Sequence, residues 1–89
     1  MDYTQLIGDL EELGKKLGLD LRYEKGDFEG GYCILKNQKV VVVNKRLSDP
    51  RKASSLAQAL AEYGVEDTFL KPNIREFIED EVARVAKSK

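Results

Sequence analysis

The 89 residues carry 15 lysines and arginines against 16 aspartates and glutamates, no histidine, no tryptophan and one cysteine, with 42% hydrophobic side chains. A chain of this length makes one domain, 1–89, with one modest core, and the lone Cys33 admits no internal disulfide, which points to a reducing, cytoplasmic setting. The lack of any imidazole excludes histidine-based triads, HExxH zinc sites and histidine pH switches.

Tyr3, Leu6, Leu10, Leu13 and Leu17 recur at steps of three and four, with Asp9, Glu11, Glu12, Lys15 and Lys16 on the remaining arc. That spacing predicts an amphipathic helix, closed by Gly18 as a left-handed cap. Leu19, Leu21 and Tyr23 then alternate with Asp20, Arg22 and Glu24, the period-two pattern of a half-buried strand. Lys25-Gly26-Asp27-Phe28-Glu29-Gly30-Gly31 reads as a turn. Tyr32 to Leu35 and Val40 to Val43 flank the polar Lys36-Asn37-Gln38-Lys39, which predicts a hairpin. The four valines suit a strand that is central or covered on both faces.

Ser48-Asp49-Pro50 is a helix start, in which a capping side chain accepts orphan amides and proline occupies the first turn. Ala53, Leu56, Ala57 and Leu60 follow as a narrow stripe of small apolar residues, and Gly64 ends the helix. Val65 to Leu70 suits a short strand or an extended connector. Lys71-Pro72-Asn73 opens a last helix with an expected buried face of Ile74, Phe77, Ile78, Val82 and Val85. The order α-β-β-β-α-(β)-α predicts an α+β domain whose small antiparallel sheet packs against helices.

The N-terminus has no basic stretch ahead of an apolar core, so no secretory signal is expected, and no apolar run reaches the roughly 20 residues of a membrane span. Charge is uneven: residues 1–35 sum to −4, 36–58 to +5 and 59–89 to −2. The positive segment holds Lys36, Lys39, Lys45, Arg46, Arg51 and Lys52. It could meet an anionic partner, or it could be a solvated hairpin and helix start.

The glycines at 26, 30 and 31 lead into a strand without a following Gly-Lys-Ser/Thr, so positive φ or a β-bulge explains them better than a phosphate loop. Cys33, in a predicted strand with no base to deprotonate it, reads as a buried structural thiol. Glu76, Glu79, Asp80 and Glu81 form the densest carboxylate group. They could do acid–base work, but a solvated polar face opposite Ile74, Phe77 and Ile78 also accounts for them. No zinc spacing is present.

The run Val40-Val41-Val42-Val43-Asn44, followed by Leu47-Ser48, basic residues 51 and 52, and Leu56-Ala57-Gln58-Ala59-Leu60-Ala61-Glu62-Tyr63, resembles the core of the minimal zincin metallopeptidases. These are the phage-immunity anti-repressor, ImmA/IrrE-like, family. The resemblance spans residues 31–64. In that family a strand ending near an Asn leads through a capped loop to a helix bearing Leu-Ala-His-Glu-Leu-Gly-His. Laid on this chain, Gln58 takes the place of the first zinc-binding histidine, Ala59 that of the general-base glutamate and Glu62 that of the second histidine. The turn spacing survives while ligands and base are lost, which implies a non-catalytic derivative with neither metal nor cofactor.

The expectation is therefore a non-enzymatic module that binds another protein or its own copy and engages no membrane. Its candidate binding residues are Gln58, Glu62, Lys45, Arg46, Arg51 and Lys52, and an edge strand is available for main-chain pairing. Sealing Gln58 and Glu62 inside the core would exclude it. One alternative is nucleic-acid binding through 36–52 with Tyr32 stacking, against which the net charge of −1 argues. The other is a carboxylate enzyme using Glu62 and the acids of the last helix.

Overall fold

The computed structural model describes residues 2–28 and 30–87; Glu29, within the expected glycine turn, lies outside them. The elements are α1 (Tyr3–Lys16), β1 (Asp20–Glu24), β2 (Gly30–Leu35), β3 (Gln38–Asn44), α2 (Asp49–Tyr63) and α3 (Pro72–Lys87). The α+β class and the element order match the expectation.

Asp2 caps α1, its carboxylate accepting the amides of Thr4 (3.1 Å) and Gln5 (3.3 Å). Gly18 ends it as expected, with φ of 83°. The amides of Gly18 and Leu19 donate back to Lys15 and Gly14 in the Schellman pattern, a conformation that glycine adopts without a Cβ clash.

The sheet is mixed, where a purely antiparallel one was expected. Its order is β1-β3-β2, with β3 antiparallel to β2 and parallel to β1. The physical reason is the valine strand, whose apolar side chains on both faces suit the central place. The tight hairpin fixes β2 on one side of β3, leaving the other side for β1. The β1–β2 connection must then cross the end of β3. Asn44 holds it there: its buried amide donates to the carbonyls of Gly26 (2.7 Å) and Phe28 (2.6 Å) and accepts from the Arg46 amide (3.0 Å).

The hairpin is tighter than the four-residue link expected. Lys36 and Asn37 alone form it, both left-handed with φ of 49° and 70°, as in a type I′ turn, and Gln38 and Lys39 belong to β3.

Leu21, Tyr23, Tyr32, Val41 and Val43 share one sheet face and join the helices in a core that includes Leu10, Leu56 and Leu60. Ala53 and Ala57 are fully buried, and their small size lets α2 lie close to the sheet. Truncating a leucine in such a core costs about 2–5 kcal/mol. Arg22, Val40, Val42, Cys33 and Leu35 occupy the opposite face. Cys33 is half-buried there, so it is not a core thiol.

Two local expectations change, and one open alternative is decided. Ser48 sits at the N-cap of α2 in extended conformation, but its side chain makes no capping hydrogen bond; its carbonyl instead accepts the Lys52 amide at 2.8 Å. Residues 65–70 form a connector with a turn, in which the Thr68 amide donates to the Val65 carbonyl at 3.1 Å. In α3, Ile74, Ile78 and Glu81 face inward while Val82 is 48% exposed, because Glu81 takes the inward position to reach polar groups on α2.

Candidate functional site: a cleft beside the sheet edge

A cleft of about 710 Å³ runs along the flank of α2, bounded by Gly30 and Gly31 of β2, Leu47 before the helix, and Arg84 and Val85 of α3. Arg51, Ser54, Ser55, Gln58 and Glu62 line its α2 wall, with Arg51/Ser55, Ser54/Gln58 and Gln58/Glu62 each four residues apart on one helix face.

Gly30 is held at φ 98°, and a Cβ there would strike the Val42 carbonyl and crowd the Ser55 hydroxyl, so only glycine fits. Glycine thus brings the start of β2 close to α2. Gly31 is at φ 149°, so Gly30 and Gly31 supply the positive φ offered as one reading of the glycine cluster, whereas Gly26 does not.

Under the cleft, a buried carboxylate joins α2 to α3. Glu81 accepts from Ser54 Oγ (3.0 Å), Gln58 Nε2 (3.2 Å) and an Arg84 guanidinium nitrogen (2.6 Å). Burial pushes its carboxyl pKa up, but the bonds from Arg84, Gln58 and Ser54 and the Arg84 charge outweigh burial, and the net shift is below the ordinary carboxylate value.

The expected site residues separate. Gln58 is half-buried and Glu62 exposed, and both line the cleft with Arg51, so neither is sealed in the core. Among the described residues lining the cleft, Lys45, Arg46 and Lys52 do not appear. Lys45 and Arg46 lie just past the end of β3, where their backbone amides donate to Glu24 O (2.9 Å) and Asn44 Oδ1 (3.0 Å). Lys36 and Lys39 are at the hairpin, roughly 20 Å away by strand rise. Lys39 sits 5.1 Å over the Tyr63 ring, which meets Tyr32 edge-on at 5.6 Å. The +5 segment is therefore divided between the two ends of β3, and Tyr32 is engaged within the fold.

The four acids of α3 also divide: Glu76, Glu79 and Asp80 are exposed, and Glu81 alone turns inward. Glu81 is the site residue that the sequence reading grouped with its neighbours and did not single out. Its position supplied a signal, since it continues the Ile74–Ile78 stripe three residues on.

No family model matches the sequence, and no curated protein and no solved structure matches it either.

Proposed function

We propose that this chain is a non-catalytic binding module that receives an extended segment of another protein, or of a second copy, in the α2–β2 cleft. The observation that carries the reading is that one cleft combines the glycine start of an edge strand with the accessible side chains of Gln58 and Glu62. β2 is bonded to β3 on one side only, so its other edge can add a strand through main-chain hydrogen bonds.

The zincin-like resemblance gives this cleft an ancestry that we also propose. It is supported by the local order of β3 ending at Asn44, a short loop, Ser48 at the N-cap and a helix presenting Gln58 and Glu62 toward one cleft. The donor set does not fit zinc. Gln58 turns its amide nitrogen to Glu81, Glu62 is a single exposed carboxylate, and Ala59 provides no base. Zinc retained stoichiometrically by the purified protein would contradict this account.

The test is selection from a displayed library of random extended peptides on the immobilised full chain, followed by amide-shift mapping of the selected peptides. Shifts gathered at Gly30, Gly31, Gln58 and Glu62 support the reading. Selected peptides that map elsewhere, or a selection that yields none from a chain that is also monomeric, overturn it.

A further inference from the structure

The two edges of the sheet are chemically opposite. β1 places Asp20, Arg22 and Glu24 along its length, and Arg22 Nε donates to Asp20 at 2.9 Å. Such charges guard an edge against adding strands. β2, Gly30-Gly31-Tyr32-Cys33-Ile34-Leu35, contains neither a charge nor a proline. It ends in two large apolar side chains left in solvent, Ile34 at 60% and Leu35 at 47% exposure. A strand with no charge meets its own copy without like-charge repulsion, which directly opposed charged residues would suffer.

The pattern of β2 is also self-complementary. Two antiparallel strands related by a two-fold axis normal to the sheet keep each face continuous, so only residues on the same face can oppose each other. With the axis at Cys33, Ile34 lies opposite the partner's Tyr32 and Leu35 opposite the partner's Gly31. Both exposed apolar side chains then gain cover, one on an aromatic ring and one in the space a glycine leaves. With the axis at Tyr32, Leu35 runs past the start of the opposing strand and stays exposed.

We infer that the segment received at β2 is the β2 strand of a second copy, paired antiparallel about Cys33 into a continuous six-stranded sheet. This rests on the proposed reading of β2 as a docking edge and names its occupant. The contact is small beside the roughly 1,200–2,000 Å² of stable complexes, so the dimer is weak and depends on concentration.

The experiment is sedimentation equilibrium of the full chain over about two decades of concentration, with cross-linking through Cys33 by a short bis-maleimide, each thiol adding to one maleimide carbon–carbon double bond. The expected result is a dimer fraction that rises with concentration and a Cys33-linked dimer. Ile34→Lys should weaken association at least about ten-fold and suppress the cross-link with the melting temperature unchanged, because the side chain is exposed; Ile34→Val should retain both. A monomer at every concentration, or a cross-link yield that Ile34→Lys leaves intact, overturns the proposal. If the chain stays monomeric while selected peptides map to Gly30, Gly31 and Gln58, self-pairing is wrong and the docking reading stands; failure of both removes both.

Discussion

Gln58 Nε2 donates to Glu81 Oε2 at 3.2 Å, linking a side chain of the cleft wall on α2 to a buried carboxylate on α3. Ser54 and Arg84 complete the shell. A carboxylate held this way is favoured in its charged form, so its folded-state pKa lies below the unfolded value. Its contribution is present above the ordinary carboxylate pKa and is lost as pH falls through the folded value. Glu81→Gln should cost about 1–3 kcal/mol near neutral pH, where the charge-assisted bonds are lost, and clearly less near pH 3. Urea denaturation of both proteins at the two pH values measures it; an equal cost at both would show that the charge of Glu81 is irrelevant.

Asn44 uses both amide hydrogens on the carbonyls of Gly26 and Phe28, and its oxygen on the Arg46 amide. Asn44→Ala should destabilise by about 2 kcal/mol, because three partly buried backbone groups lose their partner. Hydrogen exchange should quicken at Arg46 and along 25–28 before it quickens in α1. Asn44→Asp should be at least as costly, since a carboxylate facing two carbonyls has nothing to donate. An Asp variant of wild-type stability would sink this role for the side chain.

The amphipathic stripe of α1, its glycine cap and the valine strand were legible because each is written in local spacing. Strand order was not, because whether β1 pairs with β2 or β3 depends on the crossover that Asn44 secures, a contact 16 to 18 residues distant in sequence. Glu81 was obscured for a related reason. Its charge placed it among the solvated acids, and only the polar groups of α2, more than 20 residues away, make its inward position tolerable. The cleft itself was half legible: Gln58, Glu62 and Arg51 were named, but the sheet edge beside them arises from tertiary assembly.

Tyr23 donates its hydroxyl to the Glu11 carboxylate, tying β1 to α1. Burial, then the hydrogen bond and the charge of Glu11, raise the phenol pKa well above its ordinary value of 10.0. A raised pKa contributes stability that is complete below the unfolded value and is lost as pH climbs above about 10. Tyr23→Phe should therefore cost about 1–2 kcal/mol at pH 7 and flatten the alkaline limb of the stability profile. Thermal melts of both proteins between neutral pH and about pH 11 test this, and parallel alkaline limbs would exclude the Tyr23–Glu11 pair as the source.

The hairpin turn offers a change in the opposite direction. Lys36 and Asn37 both adopt positive φ, a region that costs a lysine about 1 kcal/mol and that asparagine and glycine occupy more readily. Replacing the pair by Asn-Gly keeps the two-residue loop and removes most of that strain. The double variant Lys36→Asn, Asn37→Gly should be more stable by about 0.5–1 kcal/mol. The turn also sets the register that carries Ile34 and Leu35 at the free edge of β2, opposite Lys39 and Gln38. The stabilised variant should hence keep the association of the wild-type chain, read by sedimentation alongside its urea midpoint. A midpoint that falls would mean that the loop is held by something other than its own backbone preference.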